Sequence, residues 1–180
     1  MIKVFTGPMY SDKSNCLIEE YKKIWDKSRV VCFKPSKDTR EFSKIHSRSN
    51  DTEIECHVIK DLSDMIMYID KNTTTIFIDE IQFLTGNPEG LLFYSIYMDM
   101  DIYISGLSLT SEQSPFGIMP GVLAVADEIV HLKAYCSDCN KKEATFSYCL
   151  EEKQGDVLVG SSMYVPLCPK CLRKRKDRKV

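Results

Sequence analysis

Apolar residues along this chain fall into short runs separated by segments with helical spacing. The runs Ile2 to Thr6, Val30 to Phe33, Thr75 to Ile78, Ile102 to Ser105 and Ile129 to Leu132 predict strands. Between them, Leu17, Ile18, Tyr21, Ile24 and Trp25 recur on one helical face, as do Leu62, Met65, Ile66 and Ile69. Strands that alternate with helices imply a mainly parallel sheet, with helices on both of its faces. From Glu53 to Lys60 the pattern alternates at period two around Cys56 and Val58, which predicts a half-buried extra strand rather than a central one. The charged, serine-rich stretch from Asp38 to Asp51 has no clear period and reads as a long flexible loop over the site. A second loop is expected from Leu107 to Gly117. Beyond Leu132 the pattern changes to short segments between cysteine pairs, which sets a domain boundary near Lys133.

Composition narrows the class. At 180 residues, 43% hydrophobic and 28% charged, the chain can bury a full core and carry one domain plus a small appendage. The net charge of −2 averages a basic end, Arg173 to Lys179, with a more acidic body, so bulk charge points neither to nucleic acid nor to a membrane surface. The basic end reads as a solvated segment, with a weak anion or partner contact as its alternative role. The first ten residues lack the apolar run of a secretory signal and no stretch reaches the length of a membrane span, so the expected location is cytoplasmic. In that setting eight cysteines, four of them in two CxxC pairs, suit metal ligation better than disulfides. Cys16, Cys32, Cys56 and Cys149 sit among apolar residues and read as reduced thiols in or near the core.

The first strand runs directly into GPMYSDKS, residues Gly7, Pro8, Met9, Tyr10, Ser11, Asp12, Lys13 and Ser14, and a helix follows at once. Phosphate-binding loops take this form because backbone N–H groups and a helix N-terminus cradle the phosphates. Lys13 would balance their charge, and the Ser14 hydroxyl would reach Mg²⁺. Asp12 stands where the GxxxxGK[ST] pattern has glycine, and its carboxylate should oppose a bound phosphate. The bland reading is that Asp12 is a helix-start residue in a tight turn that binds nothing. The strand TTIFID delivers Asp79 and Glu80 at its C-terminal end. Asp79 is placed like the acid that holds Mg²⁺, and Glu80 like a general base toward a substrate hydroxyl. Alone, such a pair is as often two solvated acids at the start of a loop.

Cys136 and Cys139 form one CxxC pair, Cys168 and Cys171 the other, with residues 140–167 between them. Two such knuckles supply four thiolates, which close a tetrahedral zinc sphere with no open position for water. The zinc is therefore expected to be structural. His46, His57 and His131 have no matching ligand spacing and read as surface or satisfied polar residues. Phe83, Phe116, Phe146 and Tyr164 would suit a base pocket or, equally, the core.

The order of these features resembles the type II thymidine kinases. GPMYSDKS is similar to that family's GPMxSGKS, KPSKDTR to its KPxxDxR, IHSRS to its SHSG-like stretch and FIDEIQF to its FIDExQF, over nearly the whole chain. The resemblance implies a P-loop nucleotide-binding domain over 1–132. It also implies a Cys₄ zinc domain over 133–180, carrying a substrate lasso and the basic tail. It further implies phosphoryl transfer from ATP with Mg²⁺ to the 5′-hydroxyl of a deoxynucleoside, thymidine first, by a cytoplasmic homotetramer. Glu80 would be the base, with Asp38 and Arg40 on the reacting groups. Lys13 and Ser14 would serve the phosphates, and Ser14 and Asp79 the Mg²⁺. The nucleoside would lie among Met9, Phe83, Leu107, Phe116 and Tyr164, held by the lasso at Leu158, Val159 and Gly160. The chain departs from the family at Asp12, Asn15, Ile81, Ser108, Ser111 and Glu112, and in a lasso with Ser161 and Ser162 where the family has a GG-containing stretch. These departures frame an alternative, a catalytically degenerate relative that keeps fold and zinc but binds nucleotides weakly. A zinc-ribbon nucleic-acid binder using the basic tail is a third reading, and nucleic acid is not an expected partner.

Overall fold

The computed structural model describes residues 1–38, 43–47, 49–150 and 163–177. Its elements in chain order are β1 (Ile2–Thr6), α1 (Lys13–Lys23), β2 (Val30–Pro35), β3 (Lys44–Ser47), β4 (Thr52–Glu55), β5 (His57–Ile59), β6 (Thr75–Ile78), α2 (Gly90–Leu92, widening into a π turn at Phe93–Tyr97), β7 (Asp101–Gly106), α3 (Met119–Val125), β8 (Glu128–His131), β9 (Phe146–Cys149), β10 (Tyr164–Leu167) and α4 (Pro169–Asp177). Six strands form one sheet in the order β5-β2-β6-β7-β1-β8, and every neighbouring pair is parallel. This is the α/β architecture that the alternation of runs predicts, and all five predicted strands are present.

Successive residues of each strand serve opposite faces. Ile2 and Val4 of β1, Phe33 of β2, Ile76 and Ile78 of β6 and Ile102 and Ile104 of β7 belong to one cluster, packed with Met65, Leu91, Met119 and Val122. Phe5, Cys32 and Phe77 face the other way, against Leu17 and Ile18 of α1 and Ile45 and Ile54 of the β3–β4 hairpin. Both faces are therefore covered, which is why the central strands contain almost no exposed position. Cys136, Tyr148, Leu167, Cys168, Cys171 and Leu172 form a third cluster in the C-terminal part.

Four local expectations are corrected. α1 ends at Lys23, Ile24 turns extended at φ −77° and ψ 125°, and Trp25 is 98% exposed instead of completing the apolar face. The Lys27 ammonium donates to the Tyr21 and Ile24 carbonyls there, closing the end before the periodicity stops at Trp25. The segment from Leu62 makes a single 3₁₀ stretch, Leu62–Met67, in which Leu62 and Met65 are buried while Ile66 is 70% exposed. The extra strand expected over 53–60 is two strands that part at Cys56. β4 pairs antiparallel with β3, and β5 joins the edge of the main sheet. The expected 38–51 loop contains β3, whose Ile45 is fully covered by the α1 side of the core. With only one buried apolar residue between Lys44 and His46, β3 carries too short a pattern to be read alone. Residues 107–117 do form an irregular loop, closed by Thr110 N–H to the Ser114 carbonyl at 2.8 Å and Phe116 N–H to the Ser108 carbonyl at 3.0 Å.

Cys16, Cys32, Cys56 and Cys149 are all free thiols, and burial pushes Cys32 and Cys56 up to about 12, so they stay protonated and inert at neutral pH. No helix among the described residues is long and apolar enough to cross a membrane.

Candidate active site

The parallel sheet places the ends of β1, β6 and β7 side by side, and the polar residues of the site are the ones that follow those strands. After β1 the chain turns at Gly7, where an added Cβ would stand 2.5 Å from the Leu132 carbonyl oxygen and 2.8 Å from Ser11 Oγ, so no side chain fits. Ser11 Oγ donates to the Pro8 carbonyl at 2.8 Å, and Lys13 Nζ donates to the same oxygen at 2.7 Å. The buried Lys13 ammonium is thereby folded into the loop rather than extended into solvent. Asp12 precedes the first turn of α1 with φ 62° and ψ 30°, in the left-handed region, and its exposed side chain makes no cap hydrogen bond. Asp12 thus stands at the helix start, as the bland reading has it, an N-cap by position without a side-chain cap bond. Position 12 needs the conformation that glycine adopts without cost and that aspartate tolerates better than most residues. Tyr10 has φ 64° as well.

Asp79 directly follows β6 and is 6% exposed. Its N–H donates to the Phe33 carbonyl at 3.0 Å. Ser14 Oγ donates to its carboxylate oxygens at 3.2 and 3.1 Å, and the Ser105 hydroxyl at the end of β7 donates to Oδ1. Residues 65 positions apart in sequence are thus joined at one point beside the start of α1. Glu80 follows with φ 51° and ψ 39°, like Tyr10 and Asp12 a non-glycine residue in the left-handed region. Such backbone costs on the order of 1 kcal/mol, and it aims the Glu80 side chain away from the strand direction. Gln82, 2% exposed, donates from Nε2 to Glu80 Oε2 at 2.5 Å and accepts at Oε1 from the Leu107 N–H at 3.0 Å.

Asp38 is buried and paired with the equally buried Lys34, Nζ to Oδ2 at 3.1 Å, and Lys34 Nζ also donates to the Lys44 carbonyl at 3.1 Å. Arg40, and the lasso residues Leu158, Val159 and Gly160, lie outside the described residues. Of the other expected nucleoside contacts, Phe83 and Phe116 meet edge to face with centroids 5.2 Å apart, and Leu107 is tied to their turn through Gln82. Met9 and Tyr164 belong to a second group. The Met9 N–H donates to Ser147 Oγ on β9 at 2.9 Å, and β9 pairs with β10, where Tyr164 lies opposite Cys149. Burial, with Cys149 and Glu112 nearby, pushes the Tyr164 phenol up. Phe146, also considered for the pocket, packs with the C-terminal cysteine cluster. His46 pairs with Asp51 at 3.1 Å and His57 stacks on Tyr68 at 4.1 Å, and among the described residues neither belongs to a cluster that could hold a metal ion.

The thiol sulfurs of Cys136, Cys139, Cys168 and Cys171 all lie within 4.8 Å of one another. The Cys139 and Cys168 sulfurs are 3.9 Å apart. A disulfide needs about 2.05 Å, whereas thiolates at ~2.3 Å from a tetrahedral ion stand roughly 3.8 Å from each other. The spacing therefore fits a shared metal ion and excludes bonded sulfurs. The Cys168 N–H points at Cys136 Sγ at 3.4 Å. Burial would raise the Cys136 thiol, but N–H groups of Cys168, Cys139 and Asp138 outweigh it and bring it down to about 6, favouring the thiolate that a cation binds.

The family model for thymidine kinase matches residues 1–172. The chain belongs to the thymidine kinase family. It is 28% identical to a thymidine kinase of Pseudothermotoga lettingae, over 96% of this chain and 95% of that protein. It is 31% identical to a thymidine kinase of Mycoplasma mobile over 100% and 90%. To one of Bacteroides thetaiotaomicron it is 32% identical, over 98% and 89%. These matches span both the sheet and the cysteine cluster, and they lend no support to a degenerate relative or to a nucleic-acid binder.

Within this family member, sequence reasoning overlooked three residues that the fold brings to the site. Gln82, in the FIDEIQF motif, and Lys34, in KPSKDTR, carry no assigned role in the sequence reading. Ser147 had no motif at all. The first two sit inside quoted motifs, so their spacing from Glu80 and Asp38 was a usable signal. Ser147 is identified only by the packing of β9 against the 7–14 loop.

Proposed function

We propose that the chain is an ATP-dependent thymidine kinase. Glu80 takes the proton of the nucleoside 5′-hydroxyl, the oxygen bonds to the γ-phosphorus of ATP, and the bond from that phosphorus to the β,γ-bridging oxygen breaks, leaving ADP and the 5′-monophosphate. The observation that carries the reading is the union of Ser14 and Asp79 beside Glu80, in a chain that matches the family over residues 1–172. In this reading Ser14 and Asp79 exchange their mutual bonds for Mg²⁺, and residues Gly7 to Ser14 surround the phosphates. Lys13 leaves the Pro8 carbonyl for a phosphate oxygen, and Asp38 and Arg40 orient the reacting groups. Thymidine would lie between Phe83, Leu107 and Phe116 on one side and Met9 and Tyr164 on the other, under the lasso at Leu158, Val159 and Gly160.

The four cysteines would hold a structural zinc ion within a C-terminal unit beginning near Lys133, and the working form would be a cytoplasmic homotetramer. Zinc would supply cross-linking alone, because four thiolates complete its sphere. The test is phosphate transfer from labelled ATP·Mg²⁺ to a panel of deoxynucleosides, with Glu80→Gln beside the wild type. Thymidine should be preferred. The variant should lose at least a hundredfold in kcat while binding ATP normally. An effect below tenfold, about 1.4 kcal/mol, would remove Glu80 from the base role.

A further inference from the structure

We infer that Gln82 is a positioning residue that locks the Glu80 carboxylate to the 107–117 loop, so that ordering of the nucleoside wall and aiming of the base are one event. This role rests on the kinase reading above. The Gln82 amide is buried and must satisfy both of its ends. The Leu107 N–H, 3.0 Å away, can only donate, so the amide oxygen must face it. The amide nitrogen then necessarily faces Glu80 Oε2, at 2.5 Å. The orientation of the amide is dictated by its neighbours, and with it the donor that Glu80 receives.

The backbone at both ends of the loop approaches Gln82 closely. An added Cβ on Gly106 would come within 2.8 Å of Gln82 Oε1, and one on Gly117 would collide with the Gln82 carbonyl oxygen. Gly117 itself has φ +50°. The start and the end of the 107–117 loop therefore both close on this one residue, and Phe116 adds its contact with Phe83. Glu80 leaves β6 through a left-handed backbone, so its side chain is not held by the strand geometry and needs a second point of attachment. Gln82 supplies such a point by engaging Oε2. Misaiming a base by about 1 Å lowers the rate of the chemical step far more than it lowers binding.

Gln82→Met preserves volume and removes both hydrogen bonds. It should lower kcat for thymidine at least tenfold while the KM for ATP stays within threefold. Gln82→Glu retains an acceptor for the Leu107 N–H but sets a like charge against Glu80, and it should show the same loss of kcat. It serves as the second variant if the methionine protein fails to fold. In a chain carrying Glu80→Asp, whose shorter carboxylate withdraws from the amide, Gln82→Met should cost less than a further threefold. Equal losses with and without the Glu80→Asp substitution would mean a merely structural residue and would overturn the proposal. So would a loss of kcat smaller than tenfold in an active kinase, which leaves the kinase reading intact. Absence of transfer from ATP to any deoxynucleoside by the wild-type chain would instead overturn the kinase reading, and this role with it.

Discussion

Replacing Asp12 by glycine should tighten ATP·Mg²⁺ binding, and the structure sets the size of the effect. Two energies change at once. Backbone strain is relieved, because φ 62° and ψ 30° suit glycine, but the unfolded chain gains freedom worth about 0.5 to 1 kcal/mol, so folding stability should move little. The charge term remains. A carboxylate about 4 Å from a phosphate oxygen is repelled by roughly 4 kcal/mol at an effective dielectric of 20 and by about 1 kcal/mol in water. The Asp12 side chain is exposed, which puts the expected gain at the lower end, about 1 kcal/mol or roughly fivefold in Kd. Release of Lys13 from the Pro8 carbonyl opposes binding in both proteins and cancels from the comparison. Asp12→Asn keeps the shape and the tolerance of left-handed backbone but removes the charge, so it should recover most of the gain. Calorimetric titration of the three proteins with ATP·Mg²⁺ at fixed ionic strength is the assay, and the gain should shrink in high salt as the Debye length falls. Equal or weaker binding by both the glycine and the asparagine variants would refute the reasoning and make Asp12 neutral or helpful.

Protein purified without added metal should contain about one equivalent of zinc, and chelation should lower its melting temperature by unravelling the part that carries β9, β10 and α4. Less than a third of an equivalent, with melting unmoved by chelator, would defeat the assignment. Ser147→Ala strips the partner from the Met9 N–H and should weaken ATP·Mg²⁺ binding by about 1 kcal/mol, near fivefold, without loss of zinc; unchanged affinity would show that β9 does not brace the loop. The hydroxyls of Thr85 and Ser63, and then the Ser63 N–H, hold the Asp61 carboxyl below the usual aspartate range. A depressed carboxyl stabilises the fold fully above the ordinary value of about 3.9 and ceases to do so as pH falls through its lowered value. Asp61→Ala should therefore cost about 1 kcal/mol at pH 7, by loss of the capping box, and progressively less toward pH 2; a pH-independent difference in denaturant midpoints would contradict this.

Local chemistry made much of this protein legible from sequence. The five strand runs are apolar because a parallel sheet covered on both faces buries nearly every strand position, and that signal survives without tertiary knowledge. The CxxC pairs and the Gly7 to Ser14 octapeptide are legible for a similar reason, since each is a contiguous device whose spacing is itself the requirement. Errors fell where stability comes from elsewhere. The Leu62 periodicity predicts a helix, yet the Asp61 capping box and the turn at Asp70 close a single 3₁₀ stretch, leaving Ile66 in solvent. The β3–β4 hairpin exists because Ile45 and Ile54 complete the cover over α1, a reason written in α1 and not in the hairpin.

The sequence by itself determined the class of fold, the family and the residue types from which the site is built, because those depend on composition and short-range spacing. It could not determine which oxygen meets which hydrogen. The meeting of Ser14 and Ser105 on Asp79, the bridge from Glu80 through Gln82 to Leu107, and the hold of Ser147 on Met9 each join segments that the chain keeps far apart. Only the order of strands in the sheet brings β1, β6 and β7 to a common edge, and only close packing between segments fixes hydrogen bonds to within a few tenths of an ångström. Tertiary structure decided those contacts because they are set by the positions of whole elements, which no single stretch of sequence encodes.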